Sequence, residues 1–420
     1  MSDVQITTLA NGVRVVSDDM PTVESVSIGL WVRAGARFET PEVNGVAHLL
    51  EHMMFKGTPR RTSQQIAETI ESVGGHINAY TAREVTAYYA KVLKNDAALA
   101  IDVIADFLQN SLFDEDELTR ERSVVLQEIG QARDTPDDVV FDNFQAVAFP
   151  EQPLGRPVLG RPDVVGQMPR DAIVGFHGQH YHGGSIVLAA AGSITHDALV
   201  ALAGELLADI PPGTPQALPK AVYAGGESRE GRDLEQVHFV IGFRGAPVGT
   251  DEYYALSVLS NLFGGGMSSR LFQEIREKRG LVYSIDTFLS AFSDEGVFGV
   301  YAGTGPDLIE EFVPALCDEV SRLSSTLSED EIARARTQLK ANLLMGMEST
   351  GARAERAGQQ MLLYDRVVSV GELVEKIENV TAETLAISAR QLLESTPCLA
   401  TIGPATNMES FDAIQRRLVA

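Results

Sequence analysis

The chain has 420 residues, of which 44% are hydrophobic and 22% charged, and its formal net charge is −24. This composition predicts a folded protein of two domains. The acidic excess argues against nucleic acid or an anionic membrane as a partner, and it is compatible with the attraction of basic peptides.

No apolar run approaches the roughly 20 residues of a membrane helix. The first residues also lack a basic stretch followed by an apolar one, so we expect no secretory signal and a cytoplasmic location. The two cysteines, Cys317 and Cys398, cannot supply a disulfide framework or a cysteine-based zinc site.

Strand-like and helix-like segments alternate in the first half, which predicts a sheet covered by helices. The predicted strands are 4–8, 12–17, 25–34, 76–81, 85–93 and 185–192. The predicted helices are 43–55, 63–73, 95–109, 114–132, 137–147, 169–180 and 195–208. A linker follows, because the prolines concentrated in 211–219 exclude a regular helix or a central strand.

The second half repeats this alternation. Its predicted strands are 235–244, 282–291, 296–303 and a last one near 398–403. Its predicted helices are 252–263, 268–278, 305–323, 328–349, 351–364, 369–379 and 381–394. We therefore predict an α+β fold of two homologous domains, each a mostly antiparallel sheet packed with helices. Residues 1–212 form the first domain, 213–232 the linker and 233–420 the second domain.

The two halves share one local pattern: a strand-like run, a loop, a helix and then a glycine. Pairing Gly57 with Gly266 sets an offset of 266 − 57 = 209 residues. At this offset three polar residues of the first helix meet uncharged ones: His48 meets Ser257, Glu51 meets Ser260 and His52 meets Asn261. We predict a duplicated fold in which only the first copy is catalytic.

The segment His48-Leu-Leu-Glu51-His52 is the most informative part of the chain. On a helix its two histidines lie one turn apart on the same face, so their imidazoles can converge on one cation. Glu51 projects to the same side, where it could accept a proton from water that the metal activates. This H-x-x-E-H order is the inverzincin signature. Two polar residues on a helix surface are the alternative, but the apolar neighbours predict a buried helix.

Two histidines leave a catalytic zinc one protein ligand short. The acidic predicted helix 114–132 offers Glu121 and Glu128, which are two turns apart on one face. Spacing alone leaves open which of them would bind the metal and which would support it. A solvated charged face is the alternative for the whole helix.

Residues 45–58 closely resemble the pitrilysin/insulinase family of zinc metallopeptidases, in particular the branch of the mitochondrial processing peptidase catalytic subunit and its bacterial homologues. Where that family places its third zinc ligand stands Glu128, 128 − 52 = 76 residues after His52. The resemblance therefore implies one zinc ion per chain, held by His48, His52 and Glu128. It also implies Glu51 as the general base and Glu121 as an outer support.

The resemblance extends to two further segments. Asn78 and Ala79 match the edge strand on which the family lays its substrate, where an added peptide strand needs little sequence specificity. Arg276 and Tyr283 match an Arg/Tyr segment that contacts the substrate backbone and the developing oxyanion. Without the resemblance, a helix-end ion pair and a core tyrosine would be the favoured interpretation of this pair.

The resemblance implies a processing-peptidase-like zinc endopeptidase that cleaves unfolded or presequence-like peptides inside a clamshell chamber. Because the chain carries both half-sites, we expect a homodimer in which Arg276 and Tyr283 complete the partner's site. A heterodimer with a zinc-less paralogue is the alternative. The rival functions are a catalytically weak scaffold or core subunit of a larger complex, and a zinc hydrolase of non-peptide amides.

A second group of histidines, His177, His180 and His182, lies before the strand 185–192. It has no carboxylate placed as Glu51 is, and the resemblance gives it no catalytic role. We predict that these are surface histidines.

Overall fold

The computed structural model describes residues 4–419. The expectation of no secretory signal rests in part on residues 1–3, which lie outside the described residues. None of the described helices combines the length and the apolarity needed to cross a bilayer. The cytoplasmic location stays a prediction.

Every predicted strand overlaps an observed one. The observed strands are β1 (Gln5–Thr8), β2 (Arg14–Asp19), β3 (Ser25–Val32), β4 (His76–Thr81), β5 (Thr86–Leu93), β6 (Ile186–Gly192), β7 (Gly226–Glu230), β8 (Val237–Arg244), β9 (Ser284–Ala291), β10 (Gly296–Thr304) and β11 (Cys398–Ile402). β7 lies in the segment expected to be a linker, and it forms because its backbone pairs with the buried β11.

The helices also follow the prediction closely. They are α1 (Val46–Met54), α2 (Ser63–Glu71), α3 (Ala97–Asn110), α4 (Glu115–Arg133), α5 (Pro136–Ala148), α6 (Pro162–Val165), α7 (Arg170–His180), α8 (His196–Leu206), α9 (Asp251–Gly264), α10 (Ile309–Arg322), α11 (Glu329–Gly346), α12 (Thr350–Tyr364), α13 (Val370–Glu378), α14 (Ala382–Glu394) and α15 (Phe411–Leu418). The predicted helix 268–278 contains a π-helix, Phe272–Glu277. α6 and α15 were not predicted.

The first compact unit holds the chain up to Gly130 together with Arg156–Pro219 and Leu344–Val368. Its described strands form a six-stranded sheet in the order β1-β2-β6-β3-β5-β4. β2 and β6 run parallel, whereas the other neighbouring strands are antiparallel. β4 is therefore an edge strand that pairs on one side with β5.

The second compact unit holds Gln131–Gly155, Lys220–Leu343 and the chain from Ser369. Its sheet has the order β7-β11-β8-β10-β9, with β7 and β11 parallel and the other neighbours antiparallel. Strands β2 to β6 of the first sheet correspond to strands β7 to β11 of the second. The two sets follow one another in the same order along the chain, take the same order within the sheet and run in the same relative directions. This common topology confirms the α+β class and the internal duplication.

Each unit contains one helix that the other half of the sequence supplies. α12 packs on β3 and β6, and α5 packs on β8 and β11. Glycine permits both contacts: a Cβ on Gly358 would lie 2.4 Å from Trp31, and one on Gly242 would lie 2.6 Å from Phe144. The boundaries predicted at residues 212 and 233 stay a prediction, and each compact unit includes a helix from the other half of the sequence.

α1 lies within the main core of the first unit. Leu49, Leu50, Met53 and Met54 are completely buried and pack with residues of β3, β5 and α3. This apolar face fixes the rotation of α1, so the polar residues of the motif lie together on the opposite side.

Candidate metal centre

The start of α1 is held by an acidic side chain from outside the motif. Gly45 precedes the helix with a φ of 99°, and a Cβ there would lie 2.7 Å from Val165 Cγ2. Because glycine has no capping side chain, the first helical N–H groups need another acceptor. Glu39 supplies it, since its carboxylate accepts from the backbone N–H groups of Gly45 and Ala47, both at 2.9 Å.

Three potential metal ligands converge beside α1. Glu128 Oε2 lies 3.7 Å from His48 Nε2 and 3.5 Å from His52 Nε2. Among the described residues 4–419, these three side chains form the one group of His, Cys, Asp or Glu that could hold a metal, with ligand atoms all within 4.8 Å of one another. Ligands at about 2.0–2.1 Å in a tetrahedral zinc site are separated by roughly 3.4 Å, so this donor set fits zinc.

Glu121 lies one layer behind these donors and orients His52. His52 Nδ1 donates to Glu121 Oε2 at 3.0 Å, which leaves Nε2 directed at Glu128. Lys56 Nζ approaches Glu121 Oε1 at 2.6 Å and balances the charge of this buried carboxylate. Such an outer carboxylate fixes the tautomer and the orientation of a metal-binding histidine.

The two histidines differ in their electrostatic environment. Burial, together with the charge of His52, lowers the pKa of His48 to about 4, so its imidazole is neutral near pH 7 and can bind a metal. Burial also lowers the pKa of His52, but the hydrogen bond to Glu121 and the charges of Glu128 and Glu51 outweigh it, so the net shift is upward. Burial raises the pKa of Glu121, and the hydrogen bonds from His52 and Lys56 reverse that shift.

Glu51 lies beside the donor set without belonging to it. Burial raises the pKa of its carboxyl group, and a hydrogen bond from Thr81 opposes this shift. Thr81 Oγ1 donates to Glu51 Oε2 at 2.6 Å. The site therefore holds a carboxylate suited to proton transfer next to a position for a cation.

A cleft of about 420 Å³ opens next to Glu51 and His52. Phe55, Ile66 and Ile77 contribute apolar surface to it, and Asn78 and Ala79 of β4 form part of its wall. β4 is an edge strand, so its outer backbone groups are available to an added strand. The predicted substrate residues thus lie beside the predicted metal ligands.

Arg276 and Tyr283 belong to the second unit. The side chain of Tyr283 is 74% exposed, so it is not a core tyrosine. The Arg276 guanidinium lies 4.6 Å from the centre of the Phe272 ring, and no ion pair to Arg276 occurs within the described part of the chain. A helix-end ion pair and a core tyrosine, the alternative interpretation of this pair, therefore do not fit. The part of Arg276 and Tyr283 in a site stays a prediction.

The equivalent helix of the second copy carries the hydroxyl groups of Ser257 and Ser260 at the positions of His48 and Glu51. Ser260 Oγ donates to Thr287 Oγ1 at 3.0 Å, and Thr287 lies on β9, the counterpart of β4. The predicted pairing of Glu51 with Ser260 thus places both residues against a threonine of the equivalent strand. Ser257 Oγ donates to the backbone oxygen of Tyr253.

The prediction of surface positions for the second histidine group is wrong. His180 is 2% and His182 7% exposed. His180 packs against the rings of Phe38 and Phe176, and His177 Nε2 donates to the Leu108 carbonyl oxygen. His180 and His182 are thus buried and His177 is half-buried, because packing of α7 against neighbouring aromatic rings is a tertiary contact that the local sequence does not show.

Lys56, Thr81 and Glu39 are parts of the site that reasoning from sequence missed. Lys56 and Glu39 lie only a few residues outside α1, but their contacts depend on how loops fold back on the helix. Thr81 is 30 residues from Glu51 in sequence. No local spacing rule connects these loop residues or Thr81 with the helix. No signal in this sequence alone could therefore have identified the three residues.

Comparison with known proteins agrees with this architecture. Residues 14–162 match the family described as insulinase (peptidase family M16), and residues 167–339 match the peptidase M16 inactive domain. The chain belongs to the insulinase family, peptidase family M16. The resemblance inferred from the motif is thereby confirmed.

Several relatives are named zinc proteases. An uncharacterized zinc protease of Rickettsia felis is 39% identical over 95% of this chain and 97% of its own length. One from Bacillus subtilis is 36% identical over 96% of this chain and 99% of its own. A probable mitochondrial-processing peptidase subunit beta of Arabidopsis thaliana is 37% identical over 99% of this chain and 81% of its own.

The fold is also similar to a solved structure. A chain of complex III2 from Candida albicans with Inz-5 bound matches with a TM-score of 0.90 and 22% identity, covering 99% of this chain and all of that one. At this identity the likeness establishes the fold alone.

Proposed function

We propose that this chain is a zinc endopeptidase in which His48, His52 and Glu128 hold one zinc ion. The observation that carries the proposal is the convergence of these three donors beside Glu51, a half-buried carboxylate whose pKa is raised by desolvation. Bound zinc supplies a Lewis acid that polarises a carbonyl group and makes water acidic.

The residues of the chain supply the proton transfers and the orientation of the substrate. Glu51 accepts the proton of the attacking water and then passes it to the leaving amine. Glu121 keeps His52 in one tautomer. An extended peptide added to the free edge of β4 brings its carbonyl group to the cleft beside Glu51, with Asn78 and Ala79 contacting its backbone.

The substrate class follows from this mode of binding. Backbone pairing requires an extended segment, so unfolded or presequence-like peptides are the proposed substrates. The net charge of −24 favours encounter with basic peptides over acidic ones.

We further propose a homodimer in which Arg276 and Tyr283 serve the site of the partner chain. The exposure of Tyr283 and the absence of an ion pair to Arg276 in residues 4–419 support it. Mixing a Glu51→Gln chain with an Arg276→Ala chain should restore activity, because each mixed dimer has one intact site out of two. If half of the dimers are mixed, the recovered activity reaches up to a quarter of the wild-type value. Mixtures as inactive as their components would contradict a shared site.

The peptidase proposal is tested by zinc analysis and cleavage of a fluorogenic peptide panel. The wild-type chain should bind one zinc, and Glu51→Gln should keep the zinc while kcat falls by about 10²- to 10⁴-fold. Glu115→Gln is the matched control, since Glu115 is an exposed carboxylate on α4. Bound zinc without cleavage of any peptide would contradict the peptidase proposal, and full activity of Glu51→Gln would contradict the role of the base.

A further inference from the structure

Thr81 makes a contact that joins the edge strand to the carboxylate beside the metal ligands. It is the last residue of β4, and its Oγ1 donates to Glu51 Oε2 at 2.6 Å. Within the described residues no other hydrogen bond to this carboxylate occurs. One oxygen of Glu51 is therefore occupied by a hydroxyl group, and the other is left for a proton.

This hydrogen bond restricts a flexible side chain. A glutamate has three side-chain torsions, and its rotamers are separated by little energy, so an unrestrained carboxylate samples several orientations. A short hydrogen bond to a charged acceptor is roughly twice as strong as one between neutral groups. Thr81 thus selects one orientation of Glu51 before any substrate binds.

Thr81 is itself held in place by the hairpin between β4 and β5. The Ala82 N–H donates to the Val85 carbonyl oxygen at 2.8 Å and closes the turn directly after Thr81. Across the strand pair Thr81 lies opposite Thr86, which is completely buried and whose Oγ1 donates to the Ala34 carbonyl oxygen at 2.8 Å. The hydroxyl that contacts Glu51 is therefore carried by a rigid part of the sheet.

We propose that Thr81 is a positioning residue that holds Glu51 in the orientation needed to accept a proton. The strand that would receive the peptide then also sets the orientation of the base. This inference rests on the proposed function, because it assumes that Glu51 is the general base.

The alternative is that the contact only ties a helix to a strand. Ser260 and Thr287 form such a tie in the second copy, where the helix residue is not a carboxylate. The two interpretations differ in what a valine should do: loss of a tie lowers stability, whereas loss of a positioning bond lowers the turnover rate.

The experiment compares Thr81→Val and Thr81→Ser in the zinc-loaded full chain. Thr81→Val keeps the shape and removes the donor, so kcat should fall about 10- to 100-fold, as expected for one hydrogen bond to a charged group. KM and zinc content should stay within twofold. Thr81→Ser should recover most of kcat because it restores the hydroxyl.

Thr287→Val is the control: it removes the hydroxyl that accepts from Ser260 Oγ and donates to the Ser260 carbonyl oxygen in the second copy, and it should leave kcat unchanged. The inference would be overturned if Thr81→Val kept the wild-type kcat, or if Thr81→Ser lost as much kcat as Thr81→Val. It would also be overturned if the loss of kcat matched a loss of bound zinc. If Thr81→Val unfolds below the assay temperature, the inference is tested with Thr81→Ser alone. Thr81→Ser must then keep both its fold and its kcat.

A double mutant separates this inference from the proposed function. Thr81→Val should cause no further loss in a Glu51→Gln chain, because the positioned group is already absent. A further loss of tenfold would overturn the positioning role while leaving the peptidase function intact. If Glu51→Gln is fully active, or the zinc-loaded wild type cleaves no peptide, the proposed function fails and the inference fails with it.

Discussion

Replacement of Glu39 by glutamine should change how the stability of this protein depends on pH. The Glu39 side chain is 3% exposed, and its carboxylate accepts from Asn44 Nδ2 and from two backbone N–H groups at the start of α1. Burial raises the pKa of this carboxyl group from 4.5 to about 7, although the three N–H donors oppose the shift. Glutamine has nearly the same shape and cannot titrate in this range.

The sign of the effect follows from the direction of the shift. A group whose pKa is raised by folding stabilises the folded state below its unfolded pKa, and this contribution is lost as the pH rises through the folded pKa. For Glu39 the window runs from 4.5 to about 7. At about 1.4 kcal/mol for each pH unit, the contribution falls by about 2.5 kcal/mol between pH 5 and pH 8.

The measurement is urea unfolding of zinc-saturated wild type and Glu39→Gln at several pH values in that range. The difference in the free energy of unfolding, wild type minus variant, should decline by about 2.5 kcal/mol from pH 5 to pH 8. The control is Glu115→Gln, an exposed position on α4. Its difference from wild type should change little over the same range.

Two results would refute the reasoning. A difference that is constant with pH would mean that folding does not shift the pKa of Glu39. A difference that grows with pH would mean that the hydrogen bonds from α1 outweigh the cost of burial, so that the helix is held by a carboxylate whose pKa is lowered.

Glu121→Gln should weaken zinc binding about 10- to 100-fold in a chelator competition, because His52 loses its charged acceptor. An unchanged zinc affinity would contradict the supporting role of Glu121. Removal of zinc by a chelator should lower the free energy of unfolding by about 4 kcal/mol when zinc had been present at about 1,000 times its dissociation constant; equal melting temperatures with and without zinc would contradict a folded-state site. Gly358→Ala should destabilise the first unit by about 1–3 kcal/mol, since its Cβ would lie 2.4 Å from Trp31. Gly204→Ala is the control for that change, because nothing lies within 4 Å of its added Cβ, and it should be neutral or stabilising by up to about 1 kcal/mol; equal effects of the two substitutions would contradict close packing at α12.

The elements of this fold could be predicted from the sequence because periodicity and turn residues act locally. Each predicted strand overlaps an observed one, and the repeat at an offset of 209 residues predicts the duplicated architecture that the two sheet orders show. The exchange of α5 and α12 could not be predicted. An amphipathic pattern shows that a helix has an apolar face, but it does not show which sheet will cover that face.

The sequence by itself determined the arrangement of His48, Glu51 and His52, because helix geometry places residues three and four apart on one side whatever the rest of the chain does. Spacing along the helix leaves open which of Glu121 and Glu128 would bind the metal, and the family resemblance favours Glu128. Only the tertiary structure brought Glu128 within 3.7 Å of both histidines and placed Thr81 against Glu51. Those contacts join separate elements, and their distances depend on the packing of a whole core rather than on the spacing of residues along one helix.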